Sequence, residues 1–333
     1  MSSLRDLRKR LRAVKNTQKI TKAMKMVAAS KLRRAQMQVL QARPYAVGMQ
    51  QVLDHVVSRS DVDAHPLLAA RVPKKVEIVV MSSNRGLCGG FNASIIRSTE
   101  RYIAEHREAY DEILLSSIGK KAAEHFLRKG WQLQARHDDV WDDLRFDRAA
   151  DIARRLATRF RTGRLDAVYL LYNEFKSAIS QNVVIKQLLP VQPIEDWQEN
   201  PAARVGELAA ISGDVRAVAG RAAEAQLEVE MPEDWEPSPA LEFDRDGFEH
   251  IFEPSRDRVL DNLLPEYLAV QMWRALLESM AAEHGARMSA MDAASSNAKE
   301  LIEKITLQAN RVRQANITNE LMEIVSGAET LNG

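Results

Sequence analysis

With 333 residues, 45% of them hydrophobic, the chain is long enough for two structural units around a real core. It has no run of 18 apolar residues and no apolar segment after the basic N-terminus, which argues against a membrane span and a signal peptide. Its one cysteine excludes an internal disulfide, and its seven histidines lack metal-binding spacing. These features predict an intracellular protein, at most peripheral to a membrane, without a metal site.

The charge is unevenly distributed along the chain. The net charge is +1, yet residues 1–35 hold twelve basic residues against Asp6 alone, which leaves the rest of the chain at −10. The basic residues are Arg5, Arg8, Lys9, Arg10, Arg12, Lys15, Lys19, Lys22, Lys25, Lys31, Arg33 and Arg34. An asymmetry of this size exceeds what solubility requires and predicts an acidic partner for the first segment.

Residues 3–57 are predicted to form a long helix. Ser3 is suited to cap it, and Asp6 stands in the capping-box position three residues later. A heptad pattern predicts a narrow apolar seam made of Leu4, Leu7, Leu11, Val14, Gln18, Thr21, Met24, Val27, Ala28 and Leu32. Pro44 predicts a kink or a break near Arg43.

Between residues 74 and 191 the apolar pattern changes to alternating strands and helices. Strands are predicted at 76–81, 112–117, 131–135, 166–172 and 183–189, and helices at 92–107, 120–129 and 147–161. This order is typical of a parallel or mixed α/β sheet covered by helices. The middle of the chain is therefore predicted to be a compact α/β domain.

The segment 194–249 interrupts this alternation. It holds 15 acidic residues and 4 arginines, together with four prolines. A helical hairpin with breaks at Gly213 and Gly220 and a flexible surface insertion are both compatible with its composition. A last short strand is predicted at 248–252.

The final stretch, Ser255 to Leu331, is predicted to be one helix of about 77 residues and roughly 115 Å. Its seam is predicted to consist of Ala294, Ala298, Leu301, Ile305, Gln308, Val312, Ala315, Asn319 and Met322. Pro265 should kink the helix or mark its true start, so the continuous helix is expected to begin between Ser255 and Glu266. Two long helices with narrow seams would most economically pair as an antiparallel coiled coil.

Two local stretches suggest functions with a chemistry of their own. The stretch SNRGLCGG after the first strand suggests an anion-binding loop, but it fits neither GxGxxG nor GxxxxGK[ST], so a structural turn with a buried Cys88 is favoured. The basic N-terminal helix suggests nucleic-acid binding, but no leucine zipper follows it. No catalytic constellation and no cofactor motif is found.

Four stretches closely resemble the gamma subunit of F-type ATP synthases: NTQKITKAMKMVAASKLRRAQ (16–36), ARPYA (42–46), SSNRGLCGGFN (82–92) and RQANITNELMEIVSGAE (313–329). The resemblance implies that residues 1–57 and 255–333 form a left-handed antiparallel coiled-coil shaft. It also implies a Rossmann-like α/β foot at 74–254, with the acidic insertion at about 194–245. The insertion lacks the cysteine pair found in chloroplast relatives.

The resemblance further implies a non-catalytic rotor subunit that transmits torque during ATP synthesis coupled to proton transport. Its implied partners are three alpha and three beta subunits, an epsilon subunit and a ring of c subunits, at the cytoplasmic face of a bacterial inner membrane; no nucleic acid or cofactor is implied. The matching partner-contact positions are Arg8, Lys22, Met24, Lys25, Arg33, Arg34, Arg287, Arg313, Gln314, Thr318 and Glu320. Residues 321–331 would be the tip of the shaft.

Overall fold

The computed structural model describes residues 3–57, 65–176, 181–191 and 255–332. The acidic segment and the strand predicted at 248–252 lie outside these ranges. The described elements, in chain order, are α1 (Leu4–Val57), β1 (Lys75–Met81), α2 (Phe91–His106), β2 (Glu112–Ile118), α3 (Lys120–Arg128), β3 (Leu133–His137), α4 (Phe146–Arg161), β4 (Ala167–Phe175), β5 (Gln181–Leu189) and α5 (Arg256–Asn332).

Five strands form one mixed sheet in the order β3-β2-β1-β4-β5. The first four run parallel, and β5 pairs antiparallel with β4. The predicted α/β sheet is thus confirmed, but the third strand begins at Leu133 rather than at Trp131. The reason is local: Gly130 has φ +84, and the Trp131 amide donates to the Phe126 carbonyl, so Trp131 belongs to the C-terminal turn of α3.

Each face of the sheet is covered by a different set of helices. On one face, Ile78 and Leu115 pack against Ile95 of α2 and Phe126 of α3. The other face packs against α4 and against the C-terminal end of α1 and the N-terminal part of α5. This second core includes Leu53, Val79, Phe160, Leu170, Leu264 and Leu268. The two long helices therefore share a hydrophobic core with the sheet, which couples them to the α/β domain.

The two long helices run antiparallel to each other. Lys25 of α1 forms an ion pair of 2.6 Å with Asp292 of α5, and Leu32 and Ala35 pack with Ala281. The Ser3 hydroxyl accepts the Asp6 amide and donates to the Asp6 carboxylate, which confirms the predicted cap. In α1 the buried positions keep the heptad spacing: Leu7, Thr21, Ala28, Leu32, Ala35, Met49, Leu53 and Val56.

Part of the predicted seam is wrong in both helices. In α1, Val27 is 57% exposed, because the repeat places Ala28 toward α5. In α5, Leu301 is 46% exposed, and Ile302 faces α1 in its place. From Ala298 onward the more buried positions are Ala298, Ile302, Ile305, Ala309 and Val312. Successive side chains on a helix point about 100° apart. The observed seam steps four residues from Ala298 to Ile302, where the prediction stepped three residues to Leu301. Leu301 and, in the same way, Gln308 therefore point outward.

The last part of α5 extends beyond α1. Because Lys25 lies opposite Asp292, Leu4 at the start of α1 lies level with Arg313. Residues 313–322 are all exposed, so Ala315, Asn319 and Met322 do not form a seam within the described chain. The predicted seam fails there because the partner helix has ended.

Neither proline interrupts its helix. α1 continues through Pro44 to Val57, so of the kink or break expected near Arg43 the break does not occur, and α5 continues through Pro265. The prediction that the C-terminal helix begins between Ser255 and Glu266 is confirmed by its start at Arg256. Among the described residues, no helix combines the length and apolar character that a bilayer crossing requires.

Gly119 ends β2 at a position where a side chain does not fit. Its φ is +93, and a β-carbon there would lie 2.0 Å from the Ser82 carbonyl oxygen. We expect Gly119→Ala to lower the free energy of unfolding by about 3 kcal/mol or more, because both the backbone and the close contact oppose it. The measurement is urea denaturation of the full chain.

Gly163 supplies the control for that experiment. Its φ is +69, but nothing lies within 4 Å of a β-carbon placed there. Gly163→Ala should therefore cost only about 1 kcal/mol, from backbone strain alone. Equal losses for the two variants would show that the contact with Ser82 does not matter.

A buried ion pair connects the sheet to α4. Glu77 of β1 is 1% exposed, accepts the Ser116 hydroxyl at 2.5 Å and pairs with Arg159. Burial raises the pKa of Glu77, while Ser116 and Arg159 oppose that rise. We expect Arg159→Ala to cost about 3 kcal/mol at neutral pH, because it leaves a buried carboxylate without its cation.

The penalty for Arg159→Ala should shrink as the pH falls, since a protonated Glu77 carries no charge to be compensated. Urea denaturation across pH would measure it. The control is Arg154→Ala on the same helix, where the pair with Asp151 is largely exposed and should be worth less than about 1 kcal/mol. A loss independent of pH would contradict the electrostatic explanation.

Candidate functional site on the long helix pair

The basic residues of α1 form a long exposed surface. Eleven of the twelve are exposed, and Lys25 is the exception, since it is half-buried and paired with Asp292. Arg8 and Arg34 are 26 positions apart, which separates them by roughly 39 Å along the helix. Met24 is half-buried midway between them. The structure therefore distributes the predicted contact residues of α1 along a rod and does not gather them into a pocket.

A second group of predicted contact residues lies on the unpaired end of α5. Arg313, Gln314, Thr318 and Glu320 are all exposed, and the Thr318 hydroxyl donates to the Gln314 carbonyl at 3.0 Å. Large apolar side chains are exposed on the same segment: Ile317, Leu321 and Met322. A single helix that exposes such side chains buries little of its own apolar surface and is suited to contact a partner.

Arg287 differs from the other predicted contact residues. Its side chain is only 13% exposed, pairs with Glu283 at 2.7 Å and donates to the Gly86 carbonyl at 3.3 Å. Gly86 lies in the loop between β1 and α2, so Arg287 connects α5 to the α/β domain. The structure thus places Arg287 in an internal contact, apart from the exposed basic surface of α1.

The junction around Arg287 holds two further titratable groups. Burial raises the pKa of Glu283, although Arg287, Lys31 and Arg85 lower it. Burial together with the charges of Arg287 and Lys31 lowers the pKa of His284 to about 4. At neutral pH the junction therefore contains a neutral His284 imidazole next to the Glu283–Arg287 pair.

The loop between β1 and α2 is held by its own side chains. Asn92 accepts the Ser83 amide, and its side-chain NH₂ donates to the Ser83 hydroxyl and to the Cys88 sulfur. Cys88 is buried against Phe91, Ala282 and Ala286, and burial raises the pKa of its thiol. The prediction of a structural turn with a small buried cysteine is confirmed.

The edge of the sheet where α/β proteins bind ligands is already occupied. Such ligands lie beyond the carboxyl ends of the strands, where the strand order reverses, here between β1 and β4. At this place Phe175, the last residue of β4, packs with Cys88 and Phe91 against Ala282 and Ala286 of α5. The long helix therefore fills the position that a ligand would take.

The N-terminus of α3 is also occupied by protein groups. The Lys120, Lys121 and Ala122 amides donate to the Asn84 side chain, the Ser83 carbonyl and the Ser82 hydroxyl, respectively. These amides are the donors that would bind a phosphate at a helix N-terminus. Since they already have partners, the geometry favours a structural role for both loops.

Sequence reasoning missed the contacts that join distant parts of the chain. Lys25 with Asp292, and Arg287 with Gly86, join residues about 200 or more positions apart, and no local pattern indicates such partners. One signal was available: Arg287 and Glu283 stand four residues apart on a predicted helix, the spacing of an ion pair.

Comparison with known proteins agrees with this arrangement. A family model described as ATP synthase matches residues 3–331. The ATP synthase gamma chain of Anaeromyxobacter sp. (strain Fw109-5) is 44% identical, with 99% of this chain and 100% of the relative aligned. The gamma chain of Geotalea uraniireducens is 42% identical, with both chains covered in full.

Solved structures of ATP synthases contain chains with the same fold. The central stalk and c-ring structure of the Tetrahymena thermophila mitochondrial ATP synthase contains a chain that is 26% identical with a TM-score of 0.53, covering 83% of this chain and 99% of that one. A Euglena gracilis mitochondrial ATP synthase chain matches at 19% identity and a TM-score of 0.59, covering 98% and 94%, and shows the fold alone.

The fold and the solved structures thus indicate a central-stalk component of ATP synthases. The full-length match to curated relatives shows that the chain belongs to the ATP synthase gamma chain family.

His284 should make the stability of the chain depend on pH. Its folded pKa of about 4 lies below the ordinary histidine pKa of 6.5, so the unfolded state takes up a proton first as the pH falls. Stability should decrease as the pH drops from about 6.5 to about 4, by roughly 2 to 3 kcal/mol from this group. His284→Gln, which cannot titrate, should lack this part of the decrease in urea denaturation.

The relevant quantity is the difference in stability between wild type and His284→Gln, because Glu283 titrates in both proteins and its contribution largely cancels. A difference that stays constant across this pH range would mean that His284 is not kept neutral by its surroundings.

Proposed function

We propose that this chain is the rotor shaft that carries torque between the c ring and the catalytic beta subunits during ATP synthesis coupled to proton transport. The observation that carries the proposal is the shape and surface of the α1–α5 pair: a two-helix rod, basic along one helix, with exposed apolar side chains at Ile317, Leu321 and Met322 beyond the start of the other helix. A rod of this kind suits a central position inside a ring of subunits.

The detailed architecture belongs to the same proposal. The 3.5-residue spacing of buried positions along α1 is the repeat of a left-handed coiled coil, so the helix pair should supercoil in that sense. The β3-β2-β1-β4 order supports a Rossmann-like relationship of the sheet. Shaft segments at 1–57 and 255–333 and a foot at 74–254 are part of the proposal.

The basic face of α1 should contact acidic loops of the beta subunits as the shaft turns. Exposed ion pairs are worth about 0 to 1 kcal/mol each and are screened beyond roughly 8 Å. Arg8, Lys22, Arg33 and Arg34 are exposed and so suit contacts that form and release repeatedly. Arg313, Gln314, Thr318 and Glu320 should do the same higher on the shaft, with residues 321–331 held in an apolar sleeve.

We propose that the chain has no catalytic activity of its own. The support is positive: α5 occupies the ligand position at the sheet edge, and the amide groups at the start of α3 already have protein partners. Nucleotide chemistry would then reside in the alpha and beta subunits, three of each. The foot should contact the epsilon subunit and the c ring at the cytoplasmic face of a bacterial inner membrane.

The acidic segment 194–245 lies outside the described residues. The proposal for this segment rests on its composition. Its charge, and its lack of cysteine, support a surface hairpin that influences rotation or inhibition without thiol chemistry. Deletion of residues 196–240 should alter the coupling or regulation of the complex. Unchanged assembly, coupling and ATPase regulation after the deletion would refute this idea.

The test of the proposed function is co-expression with alpha and beta subunits from the same source, followed by size exclusion and measurement of Mg-ATP hydrolysis. The chain should elute with three alpha and three beta subunits, and continuous multisite turnover should require it. A chain that stays apart from them and binds a ligand alone would refute the proposal.

The basic surface can be tested in the same assembly. Replacing Arg8, Lys22 and Arg34 together by Gln should lower ATP hydrolysis by roughly 3-fold or more, since three contacts of up to about 1 kcal/mol each are lost. The matched control replaces two exposed arginines of the α/β domain, Arg101 and Arg107, by Gln. An equal loss in the control would show that total charge, and not the shaft surface, is responsible.

A further inference from the structure

Torque can pass between the α/β domain and the shaft only if α5 does not slip against the domain. Much of their contact is the shared apolar core, and apolar contact has little directional preference. The loop between β1 and α2, Ser82 to Gly90, adds a contact of a different kind. The loop contacts α5 at Ala282, Ala286 and Ala290, next to the point where α5 extends beyond the α/β domain.

The conformation of the loop is fixed by hydrogen bonds that do not involve α5. The Ser83 and Asn92 side chains bond to each other and to the loop backbone, and the Ser83 hydroxyl donates to the Arg85 carbonyl at 2.5 Å. Leu87 and Gly89 both adopt positive φ, +63 and +56. A turn held by this many internal bonds loses little freedom on contact and is suited to transmit force.

The surface that receives the loop is a row of alanines on one side of α5. Ala282, Ala286 and Ala290 recur every four residues, so they lie above one another along the helix. Cys88 and Phe91 pack against the first two. A β-carbon at Gly89 would lie 3.8 Å from the Ala290 β-carbon and 3.9 Å from the Ala286 carbonyl oxygen.

Arg287 adds directional bonds to the contact between the loop and α5. Its guanidinium donates to the Gly86 carbonyl and pairs with Glu283 one turn earlier on α5. Both side chains are nearly buried, at 13% and 11% exposure, so water competes little for these bonds. The charges of Lys31 and Arg85 act on the same carboxylate, so a residue of α1 and a residue of the loop also contribute.

We infer that the Ser82–Gly90 loop is the rotational lock between the α/β domain and α5, and that Arg287 is the positioning residue that holds it there. The inference rests on the proposed rotor function and adds to it a specific place where torque enters the shaft. It also gives Arg287 an internal role in place of the partner contact implied by the family resemblance.

The first test is a disulfide between the loop and the helix in the assembled, membrane-bound complex. Gly89→Cys and Ala290→Cys are combined with Cys88→Ala, since a β-carbon separation of 3.8 Å suits a disulfide. If the loop and α5 turn as one body, the oxidised complex keeps ATP hydrolysis and ATP-driven ion pumping within about 2-fold of the reduced complex.

Two results of the disulfide test would overturn the inference. Loss of turnover on oxidation, restored by dithiothreitol, would mean that the loop must move against the shaft. Failure of the disulfide to form in the folded complex would mean that the loop does not rest on Ala290. Cys88→Ala alone, treated with the same oxidant, controls for other effects of oxidation.

The second test removes the lock. Arg287→Gln should lower the ratio of ion pumping to ATP hydrolysis by roughly 3-fold or more, because one charge-assisted bond to the loop is lost. The disulfide between positions 89 and 290, introduced into the same variant, should restore the ratio. Restoration by a covalent bond elsewhere in the contact is a result that a partner-contact role for Arg287 would not produce.

Arg274→Gln is the matched control. Arg274 forms the same type of four-residue pair on α5, with Glu278 at 2.8 Å, and stands 13 positions before Arg287 on that helix. An equal drop of the ratio in this control, or no rescue of Arg287→Gln by the disulfide, would refute the lock. Failure of the wild-type chain to assemble and pump would instead refute the proposed function.

Discussion

The antiparallel pairing of α1 with α5 is the constraint on which the rest of the structure depends. Its register is marked by Lys25 opposite Asp292, and small residues such as Ala28, Ala35, Ala281 and Ala298 line the seam. Small side chains let the two helices approach closely and leave little apolar bulk outside the seam. The same register determines where α1 ends beside α5, and therefore how much of α5 remains alone at the tip.

This pairing also explains why one helix serves two environments. Between Leu260 and Ala286, α5 is largely buried, against the sheet and α1. Between residues 299 and 312 only about one residue in three or four is shielded, and residues 313–322 are all exposed. The change from buried to exposed coincides with the loop that follows β1. A helix that begins in a domain core and continues into an exposed segment at residues 313–322 is suited to transmit rotation of the domain to a distant point, since it runs as one α-helix from Arg256 to Asn332.

The α/β domain uses the edge of its sheet to hold α5. Its strand order would place a ligand beyond the ends of β1 and β4, yet Phe175, Cys88 and Phe91 use this place to hold α5. The amides that could bind phosphate are bonded to Ser82, Ser83 and Asn84. The same geometric features therefore serve as attachment points for the shaft.

The sequence by itself determined the class of the domain, the positions of nearly all described elements, both long helices and the cap at Ser3, because periodicity and capping act over a few residues. It also determined the basic surface of α1, since charged residues seldom become buried. Only the tertiary structure decided which residues of α5 face α1. At Ala298 the sequence allows a step to Leu301 or to Ile302, and only the register of the partner helix chooses between them. The internal role of Arg287 was likewise undecided, because its partner Gly86 lies 201 positions away and only folding brings the two together.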